Sequence, residues 1–332
     1  MTMRVLGQNG PKVFPIGYGA MSFSDFYGAT TEAASHAILD LAIEAGVNHL
    51  DTSNVYGMGK SEATIGSYLK ANPQARDFFV IATKAAITRN ADGQRYFDNS
   101  AAHLEAELDK SLTRMGLDAV DLFYVHRRDP GVPIEEVTET LAALVKKGKI
   151  KGFGFSEIAP SSLRRAHGVH PVAAVQSEYS LSTRSPEMGL VQTCAELGTA
   201  LVAFSPVGRS FLTDHPLPLE TVQEIGFLKG NARFVEPNYS ANIAATDRLR
   251  ALAAEMGIST AGLAMAWLLA QGDHVIPIPG TRSVSHFKEC LEGANRSLTG
   301  EDLAAIEAIL PIGWAHGDRY NADQWVGPEK YC

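Results

Sequence analysis

Strand-like and helix-like segments alternate eight times along this chain, and this alternation limits the fold more than any other feature. The strand-like segments are short apolar runs, which are typical of parallel strands buried on both faces. The helix-like segments carry capping signals: Ser100 and Thr299 precede carboxylate-rich first turns, and Gly46 and Gly198 follow last turns. Eight such units over about 300 residues predict an α/β fold, a closed (β/α)8 TIM barrel.

The predicted units follow one another at a steady pace. The strands are predicted at residues 14–17, 49–51, 79–83, 120–125, 150–155, 173–176, 200–204 and 275–278. The helices are predicted at residues 31–44, 61–70, 100–115, 134–147, 160–166, 187–197, 243–256 and 283–294, with further helices at 260–269 and 302–310. No linker or low-complexity tract interrupts the pattern, so residues 1–332 are predicted to form a single domain.

Two segments lie outside this alternation. Near the N-terminus, Asn9-Gly10 stands between the short apolar runs 4–6 and 12–14, which is a β-hairpin signal. We expect this hairpin to close the N-terminal mouth of the barrel. The stretch between Pro206 and Asn242 is rich in glycine, proline and asparagine, and is predicted to be a long structureless loop. Because it follows the seventh strand, it should cover the C-terminal rim as a lid.

Ionisable side chains stand where three of the predicted strands end. Asp51 ends the second strand, with Tyr56 shortly after it, while Lys84 ends the third strand and His126 the fourth. Barrel enzymes place their chemistry at the carboxyl ends of their strands. We therefore expect these four side chains to meet at one rim and to form a catalytic site.

An acid, a phenol, an amine and an imidazole together are suited to proton transfer to a carbonyl group. The ordinary pKa of tyrosine is about 10, and we expect the ammonium group of Lys84 to lower the pKa of Tyr56. Asp51 would hold that ammonium group, and His126 would contact the carbonyl oxygen while Tyr56 acts as general acid. Each residue alone has an ordinary structural explanation, so the inference depends on their convergence.

A second group of residues indicates a phosphate-binding turn. No G-x-G-x-x-G motif follows a predicted strand, which argues against a Rossmann fold. Barrels often bind phosphate at the loops after strands seven and eight, beside a helix N-terminus. Here the eighth strand runs into Gly280-Thr281-Arg282-Ser283 and then a helix. Gly280 permits close backbone approach, and Arg282 can bind a phosphate group through two hydrogen bonds. The simpler alternative is a tight turn with an exposed arginine.

The composition narrows the possible partners. The formal net charge is −8, and residues of both charge signs are interspersed along the chain without a basic stripe. This pattern argues against nucleic acid or an anionic membrane as a partner. No apolar run approaches the roughly 20 residues of a membrane helix, and residues 1–7 lack the apolar core of a signal peptide. Cys194, Cys290 and Cys332 are far apart, which favours a cytoplasmic protein with neither disulfides nor a metal site.

Taken together, the motifs resemble those of the aldo-keto reductase family, and the resemblance runs nearly from end to end. It rests on Gly17-Tyr18-Gly19-Ala20-Met21, on the stretch from Asp51 to Gly57, on Ala82-Thr83-Lys84, on Tyr124-Val125-His126-Arg127 and on Ile278 to Arg282. The stretch from His126 to Pro130 is similar to the H-R-x-D-P motif of a soluble bacterial, fungal and plant branch. The resemblance implies NADPH-dependent reduction of a small aldehyde or ketone, with Tyr56 as general acid and NADPH/NADP+ as cofactor.

The resemblance also implies the residues that contact the cofactor. Ser156 and Gln176 would hold the nicotinamide carboxamide, and Tyr179 would stack on the nicotinamide ring. Arg282 would meet the 2′-phosphate, and Glu289 the adenine. The other implied cofactor contacts are Gly19, Glu157, Ser205, Pro206, Val207, Gly208, Gly280, Thr281 and Ser283. Candidate walls of the substrate pocket are Met21, Phe23, Phe26, Arg127, the loop after Gly208 and the tail from Trp314 to Trp325.

Two positions depart from the family pattern. Relatives usually carry asparagine where this chain has Glu157, and also where it has Cys290. A carboxylate accepts hydrogen bonds but cannot donate them as an amide does. Glu157 therefore either weakens the contact with the carboxamide or points elsewhere.

Two other functions use some of the same residues. A non-catalytic NADP-binding regulatory subunit of the same fold would bind the cofactor without turnover, although the intact proton-transfer set argues against it. A Schiff-base aldolase would use Lys84 as nucleophile, which would leave the Arg282 turn without a role. The sequence determines neither the carbonyl substrate nor the oligomeric state.

Overall fold

The predicted N-terminal hairpin is present in the structure, a computed structural model that describes residues 2–331. Its strands, β1 (Arg4–Val5) and β2 (Lys12–Val13), pair antiparallel. Two buried side chains of the hairpin, Leu6 and Val13, pack against residues that begin barrel strands, namely Val80, Ala174 and Ala200. The hairpin therefore closes the N-terminal mouth of the barrel, as predicted.

Eight parallel strands form the barrel, and their order in the sheet is their order in the chain. A small antiparallel hairpin, β6 with β7, lies between the third and fourth of them. The strands after β2 are β3 (Tyr18–Gly19), β4 (His49–Asp51), β5 (Val80–Ala85), β6 (Ile87–Arg89), β7 (Arg95–Phe97), β8 (Val120–Val125), β9 (Ile150–Ser156), β10 (Ala174–Glu178), β11 (Ala200–Phe204) and β12 (Val275–Pro277). The amides of Gly17 and Gly19 donate to the carbonyl oxygens of Pro277 and Pro279, each at 2.9 Å, and so join the first strand to the last. The predicted α/β barrel is confirmed.

Helices cover the outside of the sheet. They are α1 (Glu32–Ala45), α2 (Lys60–Ala71), α3 (Ala75–Phe78), α4 (Ala101–Met115), α5 (Ile134–Lys146), α6 (Pro160–Val169), α7 (Leu190–Leu197), α8 (Leu219–Glu224), α9 (Asn238–Glu255), α10 (Thr260–Leu269), α11 (Val284–Glu292) and α12 (Gly300–Ile309). The predicted caps at Ser100 and Thr299 are confirmed, since both side chains accept a backbone N–H of the first turn. No single helix within residues 2–331 is long and apolar enough to cross a membrane; α9 and α10 qualify only as a pair bent by 88°.

Two predictions about the chain path were wrong. The stretch between Pro206 and Asn242 is not structureless, because it contains α8 and the first turn of α9, which begins five residues before the predicted start. A small apolar cluster of its own holds this stretch together: Phe211, Val222, Ile225, Leu228 and Phe234. With only six residues, α8 is too short to show a helical period in the sequence. The first barrel strand lies at Tyr18–Gly19 rather than at 14–17.

Candidate active site

The four residues predicted to be catalytic lie together at the C-terminal ends of three neighbouring barrel strands. Asp51 is the last residue of β4, Lys84 lies one residue before the end of β5, and His126 directly follows β8. Tyr56 lies in the turn between β4 and α2. The sheet places β4, β5 and β8 side by side, so parallel strand ends bring distant parts of the sequence to one rim.

Lys84 is the centre of this group. Its side chain is fully buried and forms an ion pair with Asp51, which is itself buried. The ammonium group also donates to the carbonyl oxygen of Thr52 at 2.8 Å and lies 3.5 Å from the Tyr56 hydroxyl. Gln176 donates to the second carboxylate oxygen of Asp51 at 2.7 Å. Asp51 and Lys84 are therefore both held in place behind Tyr56.

Burial controls the acidity of Tyr56. It raises the pKa of the phenol, while the charge of Lys84 opposes that effect only in part. The expected net lowering of the Tyr56 pKa was therefore wrong, although Lys84 acts in the predicted direction. A raised pKa keeps the phenol protonated at neutral pH, which is the state that a general acid needs.

His126 is held as a neutral imidazole. Burial, together with the positive charges of Arg127 and Lys84, lowers its pKa well below the ordinary value. Its Nδ1 is paired with the hydroxyl of Ser53 at 3.1 Å. Within residues 2–331 no group pairs with Nε2, and the ring stands edge-on to Tyr56 with 5.9 Å between the ring centroids. His126 and Tyr56 therefore present polar atoms to the same space.

That space is one cavity of about 470 Å³ at the C-terminal rim. Most of the predicted site residues line this cavity. They are Gly19, Met21, Phe26, Asp51, Tyr56, His126, Arg127, Ser156, Gln176, Ser205, Pro206, Val207, Gly280, Thr281, Arg282, Ser283 and Glu289. Lys84 lies beneath it, behind Tyr56. The catalytic group and the predicted phosphate turn are thus parts of one continuous site.

The turn after β12 forms the far end of the cavity. A Cβ on Gly280 would lie 2.4 Å from the carbonyl oxygen of Gly19, so only glycine fits between these two backbone segments. The following Ser283 caps α11 by accepting the N–H of His286. Arg282 is exposed, and its guanidinium donates to the carbonyl oxygen of Ala29 at 2.9 Å. The backbone at the start of α11 and the guanidinium group of Arg282 together suit the binding of an anion.

The segment after β11 forms the roof. Three residues here that are not glycine have positive φ angles: Ser205 (52°), Arg209 (53°) and Ser210 (93°). Such conformations are unfavourable for ordinary side chains and collect at functional sites. Pro206 and Val207 follow Ser205 into the cavity wall.

Four of the predicted contact residues do not line the cavity. Tyr179 is fully buried against Trp267, and its hydroxyl donates to Glu187 at 3.0 Å, so it cannot stack on a ligand in the cavity. Phe23 packs inside the core against Tyr18. Gly208 does not line the cavity, and a Cβ on it would lie 2.9 Å from the hydroxyl oxygen of Ser182. The assignments of Tyr179, Phe23 and Glu157 are corrected because their side chains face the protein interior, whereas that of Gly208 stays a prediction.

Glu157 belongs to a buried ionic cluster instead. It is paired with Arg319 of the C-terminal tail and accepts the amide of Glu178 at 2.8 Å. Burial opposes the charge of Glu157, but Arg319 outweighs it and lowers the carboxyl pKa. Next to it, Glu178 accepts hydrogen bonds from Arg209 at 2.6 and 3.0 Å. Of the two alternatives for Glu157, the structure therefore favours the one in which it points away from the cofactor site.

Two aromatic residues that line the cavity were not predicted from the sequence, Tyr27 and Phe204, whereas Arg209, Phe227 and Tyr320 lie in the loop and the tail that were predicted as pocket walls. A usable signal existed only for Phe204, which ends the seventh barrel strand as Asp51 ends the second. The others lie on irregular segments far apart in the chain. Their side chains contact one another only after folding; the rings of Phe227 and Tyr320, for example, are 6.3 Å apart between centroids.

Comparison with known proteins gives consistent matches. The model of the aldo/keto reductase family matches residues 15–311. A probable aldo-keto reductase 1 from Glycine max is 35% identical over 95% of this chain and 90% of its own length. The aldo-keto reductase yakc of Schizosaccharomyces pombe, whose name carries NADP(+), is 36% identical over 92% of this chain and 91% of its own.

Solved structures with the same fold include two oxidoreductases. A glycerol dehydrogenase from Gluconobacter oxydans superposes with a TM-score of 0.81 at 25% identity, covering 93% of this chain and 94% of the other. An aldo-keto reductase from Bacillus halodurans, in its holo form, superposes with a TM-score of 0.78 at 26% identity, covering 98% and 99%.

Proposed function

Because the chain belongs to the aldo-keto reductase family, we propose that it reduces an aldehyde or ketone to the alcohol with NADPH, with Tyr56 as general acid. One observation carries the proposal: the Asp51–Lys84–Tyr56 chain and His126 meet at one end of a cavity whose other end is the glycine and arginine turn. The NADP(+) in the name of the S. pombe relative supports the choice of cofactor.

The residues of the cavity fit a nicotinamide dinucleotide. Gly19 and Gly280 leave a backbone cradle that a Cβ would fill, and Arg282 offers an exposed guanidinium beside it. Phe204, rather than Tyr179, provides a ring in the cavity wall next to Ser156 and Gln176, where the nicotinamide would lie. When bound, the cofactor supplies the hydride.

The catalytic residues then handle the carbonyl oxygen. Tyr56 donates its proton to the oxygen as negative charge develops there, and Lys84 stabilises the resulting phenolate. Asp51 pairs with Lys84 and holds it in place. His126, neutral and anchored by Ser53, orients the carbonyl from the other side.

The test is to follow the hydride. Protein, NADPH deuterated at the transferred position and a panel of aldehydes should yield alcohols that carry deuterium on the former carbonyl carbon. NADPH binding without turnover of any aldehyde or ketone would instead support a non-catalytic regulatory subunit. The aldolase receives no support from the geometry, because Lys84 is buried, paired with Asp51 and outside the cavity lining, so a substrate carbonyl in the cavity does not meet its amine. A cytoplasmic location remains a prediction.

Replacing Arg282 by alanine should weaken binding of NADPH but not of NADH. Loss of a charged hydrogen bond costs about 1.5–3 kcal/mol, so the KM for NADPH should rise about 10- to 100-fold. The measurement is steady-state kinetics with both cofactors at a fixed aldehyde concentration. Arg248→Ala, which removes the same charge from the exposed face of α9, is the matched control. Equal effects of Arg282→Ala on both cofactors would show that Arg282 does not read the 2′-phosphate.

A further inference from the structure

One cation at the catalytic end of the cavity has no counter-ion. Lys84 is paired with Asp51, and Arg209 with Glu178. Arg127 lines the same cavity, yet it forms no ion pair with any carboxylate within residues 2–331. Arg127 is close enough to Glu157 to help lower the pKa of that carboxyl, but the ion pair of Glu157 is with Arg319, so Arg127 can still pair with an anionic ligand.

Arg127 is also held rigidly. Its Nη1 donates to the carbonyl oxygen of His126 at 2.7 Å and to the hydroxyl of Ser156 at 3.0 Å. The C-terminal tail covers its aliphatic stem, since a Cβ on Gly327 would lie 3.1 Å from the Arg127 Cδ. A guanidinium fixed in this way loses little side-chain entropy when it binds a ligand.

One edge of the guanidinium remains available. In the part of the chain that the structure describes, neither Nε nor Nη2 of Arg127 has a hydrogen-bond partner, and neither is sealed from solvent. These two N–H groups point in parallel, and their spacing matches the two oxygens of a carboxylate. Arg127 and His126 line the same cavity, so a ligand bound there can meet both side chains.

We propose that the substrate of this site is a carbonyl compound that also carries a carboxylate, which Arg127 binds through its free edge. The inference rests on the proposed function, because it names the substrate class of the same site. Aromatic side chains also line the cavity, where the rings of Phe26 and Phe227 are 5.3 Å apart between centroids. Such a wall suits an apolar or aromatic body between the aldehyde and the acid.

The test compares two aldehydes of one shape, para-carboxybenzaldehyde and benzaldehyde. The wild type should show a kcat/KM at least about tenfold higher for the carboxylated aldehyde. In Arg127→Met, kcat/KM for the carboxylated aldehyde should fall about 10- to 100-fold more than kcat/KM for benzaldehyde. Arg248→Met is the matched control, since Arg248 is exposed on α9 outside the cavity lining and should not change the ratio.

A wild-type enzyme that prefers benzaldehyde, or an Arg127→Met variant that loses both activities equally, would overturn the proposal while leaving the reductase function intact. If neither aldehyde is reduced, the deuterium-transfer experiment with the aldehyde panel decides about the proposed function, and binding decides about Arg127 separately. Calorimetry with and without NADP+ should then show benzoate binding more tightly than benzamide to the wild type, and this preference should disappear in Arg127→Met. Equal binding of both compounds to the wild type would contradict recognition of a carboxylate.

Discussion

Replacing Tyr56 by phenylalanine should lower the turnover number for carbonyl reduction about 10²- to 10⁴-fold, the usual contribution of a general acid. The phenol lies 3.5 Å from the buried ammonium group of Lys84 and also lines the cavity. Without its hydroxyl, no residue at this point of the wall can deliver a proton to the carbonyl oxygen. The ring remains, so its edge-on contact with His126 should be retained and the fold should not change.

The measurement is kcat for the best aldehyde of the panel, together with the dissociation constant for NADPH. NADPH binding should change by less than about threefold, because the hydroxyl contributes mainly to the transition state. Tyr96→Phe, which removes a phenolic hydroxyl from the exposed β7 strand, is the matched control and should keep full activity. If the turnover number of Tyr56→Phe stayed within tenfold of the wild type, the general acid would have to be sought elsewhere.

Replacing Glu178 by glutamine should lower the free energy of unfolding far more than breaking an exposed ion pair does. Glu178 is fully buried and accepts two hydrogen bonds from Arg209, while Arg319 lies at 3.7 Å and Arg233 at 4.0 Å. Removing its charge leaves buried guanidinium groups without compensation, and breaking such a pair costs about 3–5 kcal/mol. The free energy of unfolding in urea measures the loss. Glu135→Gln, which breaks the exposed pair with Arg165, is the control and should cost about 0–1 kcal/mol.

The same cluster predicts a dependence of stability on pH. Burial opposes the ionisation of Glu178, but Arg209 and Arg319 outweigh it and lower the pKa from 4.5 to about 2. Because the pKa is lower in the folded state, the carboxylate stabilises the fold fully above the unfolded pKa and loses this contribution as the pH falls from about 4.5 towards 2. The difference in unfolding free energy between wild type and Glu178→Gln should therefore shrink between about pH 6 and pH 3. A difference that stays constant over this range would exclude Glu178 as a titrating stabiliser.

The C-terminal tail shows where sequence reasoning reached its limit. Glu157 was recognised as a departure from the family pattern, but its partner Arg319 lies 162 residues away. No local pattern links the two, because the pairing exists only when the tail folds back over the strand ends. The same holds for the aromatic wall, in which Phe26 meets Phe227 across 201 residues of sequence (227 minus 26).

Tyr179 and Phe204 show a second limit. Both residues stand near strand ends, and the choice of Tyr179 as the ring beside the nicotinamide depended on likeness alone. In the structure, Phe204 pairs in register with Glu178, one residue before Tyr179. Successive side chains of a strand point to opposite sides, and Tyr179 packs outward against Trp267 of α10 while Phe204 reaches the cavity. A difference of one position at the end of a strand therefore decides whether a ring packs in the protein core or lines the cavity.

The sequence alone determined the barrel, the positions of most strands and helices, and the rim at which Asp51, Tyr56, Lys84 and His126 meet. These follow from local periodicity and from the rule that parallel strands end on one side, neither of which needs long-range contacts. The tertiary structure decided which charged side chains form ion pairs and which keep hydrogen-bond donors available for a ligand. Burial raises the pKa of Tyr56 against the effect of Lys84, and ion pairs use up Asp51, Glu157, Glu178 and Arg209 while Arg127 is left without a counter-ion in the described residues. Burial and pairing depend on neighbours distant in sequence, so they appear only once the chain is folded.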